Sequence, residues 1–547
     1  MGIAALLLAA SNLLSRLMGL VRDKVISWQF GAGEEADLYF AAFVVPDIIN
    51  YLLAGGFLSI TLLPLLAKCF QKNEEDSWRF FQTVLTWLGL GSLLLTTLCI
   101  IFADALAVCI APGFNATQLS RLTFFMRLIL PGQVFFLTGA CFTTLLFLRR
   151  QFRIPALTPL IYNGCIIICG ILLPAIATLY TQQSYAQMLK ELGMTGYCLG
   201  VSIGAFLGAF CLPLFACQPN LKLGICFTHS QLKHFFLLAT PLMLGQTIIM
   251  LDEQFLRVFG SMLEMGSVAH LNYARRIMQV PIGLVGQAAA VASYPFLVQL
   301  LANQEHDKFA ATLNQALRTG IVLIIPCAAF MLSQAKPILT ILFQGGQFTA
   351  QDTASCVPLT QIMLAAVPLW VIYMIVVRAF YAQQNTLTPA ISGTIMTVCV
   401  LPIYYFLAVP LGAWAIATTS AVSVSFYVLW LCKIFHKRYS STAFHGLLPL
   451  FAKTLIASLP ATLVALAINQ CTLVALHPIL HALLLMLLSG MAFLLCFAVF
   501  SSFLLPSWYS LALHKIKTKL RPAKIWPHDP KERPNHDAKE RENPPKG

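Results

Sequence analysis

Charge is scarce in this chain. Asp, Glu, Lys and Arg make up 10% of its 547 residues, where an ordinary soluble domain carries roughly a quarter. So few polar groups cannot cover the surface of a water-soluble protein of this length, which excludes a soluble fold. Acidic residues are the scarcer sign, 21 against 35 Lys and Arg, leaving a formal charge of +14. The chain also lacks HExxH, a Walker A loop and GxSxG, and no non-cytoplasmic loop holds an acidic cluster fit for a metal. We therefore expect no enzyme, no metal and no cofactor. Disulfide and zinc frameworks are missing too. The 16 cysteines, among them Cys99, Cys141, Cys165, Cys169, Cys399 and Cys496, are scattered through apolar runs with no CxxC pair, a setting in which Cys acts as a small hydrophobe.

What the chain has instead is hydrocarbon. Fifty-eight per cent of its residues are hydrophobic and the mean hydropathy is +0.78. The apolar residues gather in runs that reach the ~20 residues needed to cross ~30 Å of bilayer as a helix. Bounded by charged and turn-rich breaks, the spans fall at 4–30, 36–67, 80–105, 118–148, 155–180, 195–217, 231–262, 268–300, 312–334, 354–383, 388–408, 411–432, 447–468 and 478–505. The expectation is an all-α integral membrane protein of about fourteen transmembrane helices. The opening residues 1–10 lack a basic flank and run on to Arg16 and Arg22, so they read as part of the first span and not as a cleaved signal.

Lys and Arg collect on alternate connections. One side holds Lys68, Lys72, Arg79, Arg149, Arg150, Arg153, Lys222, Lys233, Lys308, Lys433, Lys437 and Arg438; the other holds little beyond Lys190 and Lys336. The positive side faces the cytoplasm, which puts both termini there. Much of the remaining positive charge lies in the tail, at Lys515, Lys517, Lys519, Arg521, Lys524, Lys531 and Arg533. A Pro-rich basic tail beside a bilayer reads as a disordered anchor to anionic lipid, not as a nucleic-acid site. A faint repeat runs through the spans: Pro46 and Pro64 answer to Pro281 and Pro295, and Leu157-Thr158-Pro159 recurs at Leu387-Thr388-Pro389. Two parallel six-helix lobes with a cavity between them follow from such a repeat. The expected organisation is an N-lobe over 1–220, a C-lobe over 221–440, two further helices over 441–506 and the tail over 507–547.

Several ionisable groups sit inside the apolar runs, where each costs at least ~2.5–3.5 kcal/mol and normally faces a cavity or a partner. The first span carries Arg16, Arg22, Asp23 and Lys24, the second Asp37 and Asp47, the seventh Asp252, Glu253 and Arg257, and the eighth Arg275 and Arg276. Arg121, Arg127 and Arg378 add to these and read as ion-paired or interfacial, as do His234 and His270. Guanidinium stays charged in low dielectric and grips phosphate with two parallel hydrogen bonds. Arg16, Arg22 and Arg276 thus suit a doubly anionic pyrophosphate, unless the acids nearby consume them in ion pairs. Gly19, between the first two, would let a ligand approach the helix backbone.

The stretch Ser15-Arg16-Leu17-Met18-Gly19-Leu20-Val21-Arg22-Asp23 resembles the opening of the MurJ (MviN) lipid II flippases, within the MATE-like (MOP) superfamily. So do Phe30-Gly31-Ala32-Gly33 with Ala36-Asp37 and Pro46, Pro155-Ala156-Leu157-Thr158-Pro159 with Asn163, and Tyr273-Ala274-Arg275-Arg276 before Pro281. The likeness continues through Leu342-Phe343-Gln344, Phe348-Thr349, Phe380-Tyr381-Ala382-Gln383 and Thr388-Pro389, in order over residues 10–430. It implies fourteen helices, in two lobes of six and a final pair, around a cationic cavity that takes the lipid II diphosphate in a bacterial inner membrane. It also implies Arg16, Arg22 and Arg276, with the carboxylate Asp37, as substrate-binding residues; Asp23, Asn50, Arg257 and Arg275 are secondary candidates from the chain's own polar residues in apolar runs. The chain departs from the family at Asn50-Tyr51 and Ala54-Gly55-Gly56, where an arginine and a glutamate are usual. Some relatives bind sodium through an acidic residue of the eleventh span, and residues 391–407 contain none. The expected partners are lipid II and membrane lipids, the expected state a monomer, and the expected drive the membrane potential or an ion. A flippase for another prenyl-pyrophosphate-linked oligosaccharide, a MATE-like exporter and a non-transporting scaffold are the competing readings.

Overall fold

The computed structural model describes residues 2–53, 57–181, 183–218, 221–440, 442–471, 478–506 and 508–510, with side chains from Leu14 onward except at 53, 57–60 and 241–250. The Ala54-Gly55-Gly56 departure and the tail from residue 511 lie outside the described residues. The first half begins with α1 (Gly2–Phe30) and a rod broken into α2 (Glu34–Ala42), α3 (Val44–Leu53) and α4 (Phe57–Lys72). Next come α5 (Glu74–Ile101), short α6 (Ala103–Ile110), and α7 (Ala116–Ile129) leading into α8 (Gly132–Leu148). The half ends with α9 (Arg153–Thr181), short α10 (Tyr185–Leu192), and α11 (Thr195–Gly204) joined to α12 (Leu212–Cys217) by a π-helical turn. The second half has α13 (Leu232–Gly260), then α14 (Ser267–Pro281) and α15 (Gln287–Ala302) around a second π-helical turn, Ile282–Gly286. It continues with α16 (His306–Ser333), short α17 (Ala335–Leu342), α18 (Ala350–Ala382), α19 (Leu387–Arg438), α20 (Leu447–Asn469) and α21 (Pro478–Leu504).

Among the described residues, ten helical stretches are long and apolar enough to cross a membrane. No strand occurs among the described residues. At 1.5 Å per residue, the 52 residues of α19 would extend more than twice the thickness of the hydrocarbon. The helix is broken at Gly412, whose φ of 71° only glycine adopts without strain. Helix starts follow local chemistry. Asn115, Ser184 and Thr349 open α7, α10 and α18 as capping boxes with Gln118, Gln187 and Asp352. The Asn115-Ala116-Thr117 sequence is thus a helix cap, with Thr117 Oγ1 donating to Asn115 Oδ1.

Large apolar side chains such as Leu94, Ile101, Leu179, Leu495 and Phe503 face outward, an arrangement suited to hydrocarbon and untenable in water. Helices therefore associate through close packing more than through the hydrophobic effect. The clearest case joins α9 to α11 and its π-helical turn. Gly196, Gly200, Gly204 and Gly208 form a stripe on one helix face, and a Cβ on any of the four would come within 2.6–3.1 Å of α9 backbone atoms. Gly200→Leu should cost about 1–3 kcal/mol through overpacking and lower the melting temperature of the purified protein. Gly91→Leu, with nothing within 4 Å of its Cβ position, should leave it unchanged. Equal melting temperatures for the two variants would refute this account of the α9–α11 contact.

Candidate functional site

The costliest charges of the first span converge on one cavity. It measures about 320 Å³ and lies between α1, α9 and α14, lined by Arg16, Gly19, Arg22, Asp23, Asn163, Arg276 and Gln279 among others. Three guanidiniums face it against a single carboxylate. Asp23, almost fully buried, holds two of them. Arg22 donates from Nε and a terminal nitrogen to Asp23 Oδ1, at 2.9 and 2.8 Å. Arg276 Nε lies 3.0 Å from Asp23 Oδ2. The remaining nitrogen of Arg22 donates to Asn163 Oδ1 at 3.2 Å, and the Asn163 amide is oriented by donating to the Pro159 carbonyl at 2.9 Å. The Leu-Thr-Pro opening of α9 thereby reaches the site through Asn163.

Arg16 has no carboxylate among its described contacts. It is exposed to the cavity and donates only to the Gln279 carbonyl, at 3.2 Å. Gly283, in the π-helical turn after α14, lies against Arg16, and a side chain there would push the guanidinium from its present place. Gly19 has nothing within 4 Å of its Cβ position, so the α1 backbone there is open to an occupant. Charge excess, one half-exposed guanidinium (Arg276) and one exposed guanidinium (Arg16) make the cavity a receptor for an anion with several acceptor oxygens.

Beyond the cavity, the two halves of the chain close against each other. Lys24 Nζ donates to the Gln344 carbonyl at 2.8 Å, Ser27 Oγ to the Phe343 carbonyl at 3.1 Å, and Tyr273 OH to the Gly31 carbonyl at 3.1 Å. Gln347 N donates to the Trp28 carbonyl at 2.9 Å. Asp37 belongs to this seal and not to the cavity. Its two oxygens accept from Gly266 N at 2.6 Å and Ala269 N at 2.7 Å, at the start of α14, where free N–H groups favour an anion.

Two secondary candidates also lie outside the cavity lining. Arg257 is buried and saturated by Asp47 at 2.7 Å, Glu253 at 2.9 Å, Gln254 at 3.0 Å and Asn272 at 3.2 Å. Arg275 pairs with Asp252 at 2.8 Å and lies 3.5 Å from Glu253. Both are locked in ion pairs away from the cavity lining. Asn50, half-buried on α3, is not among the lining residues either. Arg121 pairs with Glu35, Arg127 with Asp104 and His270 with Asp352, and Arg378 lies over the Tyr294 ring. Asn163, Gln279 and Gly283 were not singled out from sequence as site residues. An amide inside the apolar run of α9 and a glutamine one turn beyond Arg276 were the available signals.

The fold is that of a multi-pass membrane protein of MATE-like type. A multidrug resistance MATE family transporter of the MOP superfamily, inward-facing, matches with a TM-score of 0.64 at 15% identity, over 79% of this chain and 96% of that one. A solved lipid II flippase MurJ in an inward closed conformation matches with a TM-score of 0.75 at 22% identity, over 92% of this chain and 99% of that one. The lipid II flippase MurJ family model matches residues 26–490, and the chain belongs to that family. The probable lipid II flippase MurJ of Buchnera aphidicola subsp. Schizaphis graminum is 25% identical over 436 residues, 77% of this chain and 80% of that relative.

The geometry separates the two aspartates. Asp23→Ala leaves buried Arg22 without its anion and should cost about 3–5 kcal/mol, read as a large drop in melting temperature. Asp37→Ala removes the acceptor for two α14 N–H groups and should cost about 0.5–2 kcal/mol, with diphosphate affinity unchanged. Loss of diphosphate binding in Asp37→Ala at an unaltered melting temperature would return that residue to the binding site.

Proposed function

We propose that the chain is a lipid II flippase, moving the undecaprenyl-pyrophosphate-linked precursor from the cytoplasmic to the periplasmic leaflet by alternating access. One observation carries the reading: in a chain of this family, Arg16, Arg22 and Arg276 share a cavity in which Asp23 is the only carboxylate among the described lining residues. The arginines bind the pyrophosphate while the prenyl tail stays in the lipid. At about 320 Å³ the cavity stands at the low end of the ~300–1,000 Å³ typical of small-molecule sites. It accommodates a diphosphate and not a whole sugar-peptide headgroup. Loading therefore requires the halves to part on the cavity side. Release requires breaking the seal from Lys24 to Asp37.

The organisation we assign is fourteen crossings in two six-helix lobes, 1–220 and 221–440, flanked by a final pair over 441–506. Support comes from the ten apolar stretches, the break of α19 at Gly412, which divides one of them in two, and the three charged rods α1, α2–α4 and α13. The Lys and Arg bias of the connections places both termini, and the tail over 507–547, in the cytoplasm of a cell whose inner membrane holds the protein. We assign a monomer that needs no cofactor. The drive is the membrane potential or an ion: with the cytoplasm negative, outward movement of an anion gains ~2.3 kcal/mol per charge per 100 mV. The sodium site of some relatives does not fit. Residues 391–407 lack an acid, and Asp252 is committed to Arg275, Tyr404 and Ser420. A MATE-like exporter of cations shares the fold, but a cavity dominated by guanidinium repels such cargo.

Replacing Arg16, Arg22 or Arg276 by Ala removes charge-assisted contacts of about 1.5–3 kcal/mol each. Affinity for a diphosphate-bearing lipid should fall roughly 10- to 150-fold per substitution, and the triple variant, correctly inserted, should not support growth of a flippase-depleted strain. Full complementation by the triple variant would overturn the assignment.

A further inference from the structure

A second cavity with an excess of positive charge shares no lining residue with the first. It measures about 750 Å³ and opens where α4, α5, α8 and α12 end or begin. Phe70, Trp78, Leu145 and Leu148 give it an apolar wall, and its charged lining is Arg149 and Lys222 against the single carboxylate Glu74. Arg149 is half-buried at the end of α8 and donates to the Cys217 carbonyl at 3.1 Å. Lys222 has a weak counter-ion: Glu74 stands 3.9 Å away with both side chains largely exposed, an arrangement that contributes little. These helix ends carry Lys68, Lys72, Arg79, Arg150 and Arg153, so the pocket sits at the headgroup level of the face assigned above to the cytoplasm.

The pocket's outer wall is the connection between the two halves, and that connection has an unusual surface. Residues 221–229 have no helix or strand and lie along α5. Gln82 Nε2 donates to the Lys222 carbonyl at 2.8 Å, Trp87 Nε1 to the Phe227 carbonyl at 2.9 Å, and the His229 ring meets Asp76 at 3.2 Å. Side chains two apart in an extended segment share a side. Here Leu223, Ile225 and Phe227 are all more than half exposed. Irregular backbone tolerates membrane depth only where its polar groups are satisfied, which Gln82 and Trp87 do for two of its carbonyls. Apolar side chains displayed in this way beside a cationic pocket match a ligand with a charged head and hydrocarbon tails.

We propose that this pocket binds an anionic phospholipid, its phosphate between Arg149 and Lys222 and its acyl chains against Leu223, Ile225 and Phe227. The site is independent of the lipid II cavity and shares no residue with it. Its ligand is a structural component of the surrounding leaflet and not the transported cargo.

The test uses the full-length protein purified in neutral detergent and exposed to phosphatidylglycerol, phosphatidylcholine or glycerol phosphate, with bound molecules counted by native mass spectrometry. Phosphatidylglycerol should be retained over phosphatidylcholine. Each cation beside an anionic group contributes about a factor of five, so R149Q/K222Q should lower phosphatidylglycerol affinity about 25-fold. I225S/F227S should weaken the lipid and leave glycerol phosphate unaffected, and R16A should change neither. Lys222→Gln alone, at a side chain 62% exposed, carries the test if the double variant does not fold, with about a 5-fold loss expected. Equal retention of the two lipids by the unaltered protein would overturn the proposal. So would undiminished phosphatidylglycerol binding in Lys222→Gln, or glycerol phosphate binding as tightly as the lipid.

Discussion

A buried carboxylate between two guanidiniums is the interaction on which the rest of this architecture depends. Three arginines around one cavity repel one another, most strongly where Arg22 is buried, and a nearby anion offsets that repulsion. Asp23 resolves this by accepting from Arg22 on its own helix and lying against Arg276 on α14. Because α1 and α14 come from opposite halves of the chain, the same carboxylate that makes the cationic cavity tolerable also ties its two walls together. One anion offsets part of the charge of three cations, and the remainder faces the cavity.

The other intramembrane charges are organised differently. Arg257 meets Asp47, Glu253, Gln254 and Asn272, and Arg275 pairs with Asp252, which also accepts from Tyr404 and Ser420. Arg257 in particular meets an acceptor at each of its nitrogens, and neither it nor Arg275 lines the cavity. The distinction between arginines that hold the protein together and arginines that face the cavity is thus largely a matter of carboxylate supply. Arg16 marks the other extreme, with a main-chain carbonyl as its described acceptor.

Much of this could be read before any coordinates. The helices begin and end within a few residues of the apolar runs, because the expense of exposing backbone in hydrocarbon leaves few places to stop. Arg16, Arg22 and Arg276 stood out because charge inside an apolar run demands an explanation. The particular partners were not legible. Arg275 lies on the same run as Arg276, and only the azimuth at which α14 packs turns it to an internal ion-pair network; Asp37 and Arg257 lie on runs that contribute no residue to the cavity lining. Gly283 was hidden for a related reason. Its significance comes from the π-helical turn that brings it under the Arg16 guanidinium, and no residue spacing announces that turn.

The seal between the halves has one more property. Its acceptors at Gln344, Phe343, Trp28 and Gly31 are main-chain carbonyls, and Asp37 is met by main-chain N–H groups. Peptide groups are common to every amino acid, so half of each contact persists whatever side chain evolution places there. A closure built this way can be inherited by descendants that have drifted apart in most of their residues, which keeps the barrier intact while the surfaces that meet lipid and cargo are free to diversify.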